Sequence, residues 1–320
     1  MSVVSEQPRT TRIHDKMKVH PGPPTHSGFL NGMSVDVEDY FHVEAFADRI
    51  HPDTWSQYPR RVAANTRRVL EIFQESGARA TFFVLGLVAE QEPALVREIV
   101  AAGHEVGCHS YLHRRVFNLT PQEFREDTRR ARGIIEDAGG VKVVGYRAPT
   151  FSISAKSLWA LEILAEEGFL YDSSVFPIRH DLYGMPNAPR FPFRWACGEG
   201  RVLYEIPPLT LRVLGRNVAV AGGGHLRILP MAFTRWAMRR IRQREGRAAI
   251  VYFHPWEVDP DQPRLPGKLK SRLRHYTNLR RMGNRVREIL RGGEFVSLGA
   301  FLESQIENGQ IQTELSPSAG

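Results

Sequence analysis

The chain has 320 residues, of which 42% are hydrophobic and 24% charged, the balance of an ordinary globular protein. No run approaches ~18 apolar residues, which argues against a membrane-spanning helix, and two cysteines, Cys108 and Cys197, are too few for a disulfide scaffold, so a reducing, cytoplasmic setting is expected. The net charge of +8 is gathered in 235–247 and 264–291, whereas Asp36, Glu38, Asp39, Glu44 and Asp48 make the region near residue 40 acidic; a solvated arginine-rich helix face accounts for such an excess, and no nucleic-acid motif accompanies it.

In chain order, residues 1–28 are polar and proline-containing, lack the apolar core of a signal peptide, and read as a disordered leader. FLNGMSVDVEDYF then reads as a short strand running into an acidic turn. Residues 59–76 place Val62, Val69, Leu70, Ile72 and Phe73 at helical spacing, and Gly77 stands where a C-terminal cap belongs. ATFFVLG is a buried strand, EPALVREIVAAG a helix and HEVGCHS a strand. TPQEFREDTRRARGIIEDAGG opens with Thr120 as N-cap, Pro121 in the first turn and Glu123 as the capping-box acid. VVGYRAP is strand-like, SAKSLWALEILAEEGF helical, AAIVYFHPWE a buried strand, and GEFVSLGAFLES a strand followed by a helix.

The stretch 176–235, with prolines crowded at its start, reads as irregular insertion rather than core, within an irregular and basic extension over about 176–292. Residues 307–320 read as a flexible tail, leaving 29–306 as one folded unit.

Strands alternating with helices predict a parallel sheet. Several strands end in residues capable of chemistry: Asp36 to Asp39, His109, Arg147 and His254. Parallel folds gather such ends on one face, and a barrel gathers the most. The expected fold is therefore α/β, a distorted (β/α) barrel of about seven parallel strands with an irregular insertion and a helical C-terminal extension.

The strongest local signal is His109-Ser-Tyr-Leu-His113, because two imidazoles four apart can face one way on a helical turn and share a metal. A carboxylate would complete a zinc-like set with an open position, and SVDVEDYF offers Asp36, Glu38 and Asp39. Taken alone, His254 could be a core histidine, Arg147 a surface arginine and Asp172 a turn cap.

As an ordered set, DVED, HSYLH, RAP, YDSS and YFHPWE resemble the polysaccharide deacetylases of carbohydrate esterase family 4, from about residue 30 to residue 300. DVEDYFHVEAF, FNLTPQEF, YDSSVFP and the segment around GGGHLRILP more narrowly resemble the cytoplasmic branch associated with exosortase-type exopolysaccharide loci. The resemblance implies metal-dependent N-deacetylation of an N-acetylated glycan substrate, which could be lipid-linked. It implies Asp36 as general base, steadied by Arg147, and His254 as catalytic acid, oriented by Asp172. It also implies His109 and His113 as ligands of a divalent metal, with zinc favoured by the histidines, and Glu38 ahead of Asp39 as the carboxylate ligand. Thr150 follows the arginine-x-proline motif where many members carry an aromatic residue, but a backbone N–H there could still hold an oxyanion. His225 likewise stands where close relatives carry an aromatic. The rival readings are another C–N hydrolase on the same scaffold and a catalytically silent glycan-binding protein.

Overall fold

The computed structural model describes residues 29–180 and 182–317, so the leader expected over 1–28 lies outside the described residues. The first strands are β1 (Leu30–Val37), β2 (Thr81–Val84), β3 (Glu105–Cys108), β4 (Gly145–Tyr146) and β5 (Tyr171–Asp172). A middle group follows: β6 (Phe193–Cys197), β7 (Arg201–Glu205), β8 (Thr210–Val213) and β9 (Arg216–Ala219). The series closes with β10 (Ile250–Phe253), β11 (Glu294–Val296) and β12 (Glu314–Leu315).

The main sheet runs β10-β1-β2-β3-β4-β5-β7-β6-β12, with β11 paired to the start of β1. From β10 through β7 every pairing is parallel. Strands β2 and β10 are buried along their whole length, as expected where helices cover both faces of a parallel sheet. Among the described residues β10 and β12 end the path, so hydrogen bonding does not close the sheet into a full barrel.

Local sequence explains the helices. Val69, Ile72 and Phe73 of helix Val62–Ser76 enter the same core as Phe82 and Phe253, and Gly77 ends that helix at φ 70°, a left-handed conformation natural to glycine. Thr120 and Glu123 form the expected capping box at the start of helix Pro121–Gly139.

The segment read as insertion proves to be partly core. Strands β6 and β7 pair antiparallel, β7 extends the parallel sheet beyond β5, and Phe193, Trp195 and Leu203 are buried in the main core. Their prolines and glycines mark the turns of a hairpin, not the absence of structure. Among the described residues only β8 and β9 stand apart, as a two-stranded sheet. In the stretch read as tail, β12 pairs in parallel with β6. No helix among the described residues is long and apolar enough to cross a membrane.

Candidate active site

Parallel register brings the chemistry-bearing residues to one edge. Val35 lies opposite Phe253, so Asp36 and His254 follow side by side. Cys108 lies opposite Tyr146, so His109 and Arg147 do the same.

Glu38, His109 and His113 each offer one ligand atom, and these atoms lie within 4.8 Å of one another. Nδ1 of His109 stands 2.8 Å from the carbonyl of Arg147, which assigns the ring proton to Nδ1 and leaves the Nε2 lone pair for a ligand. Burial lowers the His109 pKa to about 4, keeping the imidazole neutral as a metal requires. Nε2 of His113 lies 2.7 Å from Oε2 of Glu38 but not along a hydrogen-bonding line, and that buried oxygen has no hydrogen-bond partner. Burial alone would raise the Glu38 carboxyl; the facing His113 imidazole, with His254 behind it, instead holds it well below the usual carboxylate range. A buried carboxylate oxygen without a hydrogen-bond partner, crowded against a half-buried imidazole nitrogen, is what a shared cation would relieve, so the donor set fits a divalent metal.

The His109–His113 segment differs from the expected helical turn. It is a loop in which Ser110 (φ 64°) and His113 (φ 54°) are left-handed, a conformation costing about 1–3 kcal/mol at a non-glycine residue. That kink, rather than helical spacing, turns His113 toward Glu38.

Asp39, the other carboxylate candidate, is spent elsewhere. Its Oδ2 accepts the backbone N–H groups of Arg61 (2.8 Å) and Val62 (3.0 Å), and its Oδ1 accepts that of Tyr40 (3.1 Å). It thereby satisfies the start of helix Val62–Ser76, and burial raises its pKa to about 6.

Arg147 is fully buried. Its Nη1 donates to Oδ1 of Asp36 and to Oγ of Ser34, both at 2.7 Å. Ser173 takes the other side of the guanidinium, through its carbonyl (3.1 Å from Nε) and its Oγ (2.8 Å from Nη2). The Phe83 ring centre lies 4.4 Å from the guanidinium carbon. Tyr252 packs nearby and passes so close to Gly222 that a Cβ there would fall 2.0 Å from the ring.

His254 has a different partner from the expected one. Oε1 of Glu257 lies 2.7 Å from Nδ1 of His254 and also accepts the His254 backbone N–H at 3.0 Å. Burial alone would lower the His254 pKa; Glu257, with Glu38 and Asp36 behind it, overcomes this and raises it to about 9. Asp172 instead accepts from the Ser174 hydroxyl (2.5 Å) and the Ser174 backbone N–H (3.1 Å), and it pairs in register with Glu205. Ser174 Oγ accepts the Ala148 N–H at 2.7 Å, so Asp172 braces the Arg147–Pro149 turn. Burial raises the Asp172 carboxyl to about 6. Glu257, Arg227, Ser173 and Trp256 are site residues the sequence reading missed; the i, i+3 spacing of His254 and Glu257 was the available signal for the first.

The three ligand candidates, Asp36 and His254 line one cavity of about 500 Å³, within the range of small-molecule sites, whereas Arg147, Asp172 and Glu257 stand behind them and do not reach it. Asp36, Glu38, His109, His113 and His254 form its floor, with Phe151, Tyr183, Tyr252 and Trp256 as apolar wall. Thr150 (φ 58°) and Phe151 (φ 51°) form a second left-handed turn on its edge. Gly223 and Gly224 also line it, whereas His225 does not.

A parallel α/β sheet whose strand ends gather two imidazoles, a carboxylate, an arginine-held aspartate and a carboxylate-held histidine has the layout of a hydrolase. More specifically, residues 53–167 match the model of the polysaccharide deacetylase family, and residues 173–303 match a domain of unknown function, DUF3473. The Peptidoglycan deacetylase-like protein FGM2 of Gibberella zeae is 32% identical over 110 residues, covering 34% of this chain and 32% of that protein. The Peptidoglycan deacetylase of Helicobacter pylori is 32% identical over 108 residues, covering 34% of this chain and 36% of that protein. The chain thus matches about a third of the length of these relatives. In fold it is similar to a Mycobacterium smegmatis protein assigned as a polysaccharide deacetylase, with a TM-score of 0.57, 21% identity, and coverage of 93% of this chain and 98% of that one.

Proposed function

We propose that this protein hydrolyses the acetamido group of an N-acetylated sugar in a polysaccharide or its precursor, releasing acetate and leaving a free amine. The observation that carries the reading is the meeting of two differently equipped groups beside the ligand triad. Nε2 of His254 lies 3.8 Å from Oδ2 of Asp36 and 3.7 Å from Oε1 of Glu38. Glu38, His109 and His113 are the residues that would hold a divalent cation, and their donor set suits zinc. Such an ion supplies two things when bound: a lowered pKa for the attacking water and polarisation of the acetamide carbonyl.

The chain's own residues account for the proton traffic. Arg147 holds Oδ1 of Asp36, leaving Oδ2 toward the cavity to take the proton of the attacking water. His254 spends Nδ1 on Glu257 and turns Nε2 toward the site, where it hands a proton to the departing nitrogen. An amine leaves poorly unless protonated, so this second group is needed as much as the first. The left-handed turn at Thr150 edges the same cavity, where its backbone N–H is the candidate donor to the carbonyl oxygen as charge develops there.

The motif pattern around DVEDYFHVEAF and YDSSVFP supports a finer placement, in cytoplasmic exopolysaccharide assembly with a lipid-linked glycan as one candidate substrate. The free, buried thiols of Cys108 and Cys197 agree with a reducing compartment. Acetate release is the test, measured with N-acetylated oligosaccharides, lipid-linked N-acetylated glycans, and ureide-like or cyclic amides. Release from acetylated sugars supports the reading. Hydrolysis of the cyclic amides alone would transfer the site to another C–N hydrolase, and sugar binding with no hydrolysis would make the protein a silent binder.

A further inference from the structure

The segment matched as a domain of unknown function, 173–303, brings His254 to a metal triad that lies wholly outside it. We infer that this segment locks His254 in place through Arg227, a positioning residue that acts on His254 by way of Glu257. The inference rests on the deacetylase reading for its meaning and on geometry for its content.

Arg227, in helix Gly223–Ile228, is buried. Its Nε donates to Oε2 of Glu257 at 2.5 Å, while Oε1 of the same carboxylate faces His254. Its Nη1 donates to three backbone carbonyls, those of Arg274 (2.9 Å), His275 (2.6 Å) and Thr277 (3.1 Å). These carbonyls belong to the end of helix Leu269–Tyr276, where last-turn oxygens lack intrahelical partners and a cation is favoured. The planar fork of one guanidinium therefore joins the C-terminal helices to the carboxylate behind His254. A lysine ammonium, a point charge with no fork, could not span both.

Ring packing ties the same group to the metal side of the cavity. The Arg227 guanidinium carbon lies 5.1 Å from the Trp256 ring centre. Trp256 stacks between His254 (5.3 Å, 23°) and His275 (4.2 Å, 12°), and its Nε1 donates to Oε1 of Glu38 at 3.2 Å. Without Arg227, Oε2 of Glu257 is unheld and its counter-charge is gone, so only the His254 backbone N–H still fixes the carboxylate that accepts the Nδ1–H of His254. The basic C-terminal region thus has an inward job: its backbone oxygens anchor the arginine that anchors the acid.

The test compares the full-length zinc-loaded chain with Arg227→Gln, Arg227→Lys, Glu257→Gln and the Arg227→Gln/Glu257→Gln double variant, using tetra-N-acetylchitotetraose. Turnover should fall about 10- to 100-fold in each, with KM changed less than about threefold and bound zinc unchanged. The double variant should be no slower than the slower single variant, because both remove one constraint. The downfield proton resonance of the His254 Nδ1–H, measured in the metal-free chain, should be sharp in the native protein and lost in the Arg227 variants. If those variants do not fold, Asn278→Gly removes only the amide that donates to the Arg227 carbonyl at 2.8 Å and should lower turnover about two- to fivefold. Native turnover in the variants, a turnover loss accompanied by loss of zinc, strictly multiplicative effects in the double variant, or an unaltered Nδ1–H resonance would overturn the inference. A native protein that releases no acetate would instead sink the deacetylase reading, and the resonance would still decide the role of Arg227.

Discussion

Asp36 turns its two carboxyl oxygens to different neighbours: Oδ1 lies 2.7 Å from Nη1 of Arg147, and Oδ2 lies 3.8 Å from Nε2 of His254. One oxygen is fixed by the buried Arg147 guanidinium, and the other faces His254 across the cavity that Asp36 lines. Asp36→Asn keeps the shape but cannot take a proton, and His254→Ala removes the acid opposite. Each should lower turnover by about 10²- to 10⁴-fold; His254→Ala should melt near native, whereas Asp36→Asn, which leaves the buried Arg147 without its anion, should melt lower yet still fold. Steady-state acetate release and thermal melts check both halves of this expectation.

Neighbouring acids should separate cleanly by function. Glu38→Gln should weaken zinc binding by more than about 100-fold, since even outer partners of metal ligands are worth 10- to 100-fold. Asp39→Ala should leave zinc binding intact. It would orphan the N–H groups of Arg61 and Val62, at about 1–3 kcal/mol for each buried group. Zinc titration and denaturant unfolding of the two variants distinguish them.

Arg147 should be a stability residue as well as a site residue. Arg147→Met leaves the carboxylate of Asp36 buried without its cation, a loss of about 3–5 kcal/mol. Urea unfolding should show the midpoint falling with little change in slope.

Buried histidines set an acid limit. Burial lowers the pKa of His104 to about 4 and of His275 to about 3, whereas both titrate near about 6.5 when unfolded. Between those values the unfolded chain binds more protons, so stability held above pH ~6.5 is lost as pH falls toward ~4. The expected loss is about 1.4 kcal/mol per pH decade for each group. The raised carboxyls of Asp39 and Asp172 act in the opposite sense below about pH 6, so the check is a comparison of metal-free variants: the stability difference between native and His104→Asn should shift against the native protein as pH falls through this window, and a difference independent of pH would mean that His104 is not held neutral.

Much of the site was legible because a parallel sheet converts strand ends into a cluster. Asp36, His109, Arg147 and His254 each follow a short apolar run, and the register brings them together. The choice between Glu38 and Asp39 was also available in principle, since residues two apart share a strand face and Asp36 and Glu38 are such a pair. What the pattern of strand ends did not reveal was the exchange of partners at His254. Asp172 sits at a strand end like the others, but its carboxyl meets Ser174 and lies in register with Glu205 on β7. That register depends on a hairpin whose prolines and glycines resemble loop. Glu257 lies three residues beyond His254, and only the short helical turn after β10 folds it back onto Nδ1. The two imidazoles of HSYLH do come near each other, but two left-handed residues, not a helical turn, bring them together.

The central claim is that one cation held by Glu38, His109 and His113 works with Asp36 to free acetate. The most direct measurement titrates the metal-free chain with zinc while following acetate release from tetra-N-acetylchitotetraose. Release should rise to a plateau at one zinc per chain in the native protein, whereas Asp36→Asn should bind the same zinc and release almost none. Acetate release that persists in chelator, or that survives undiminished in Asp36→Asn, would contradict it.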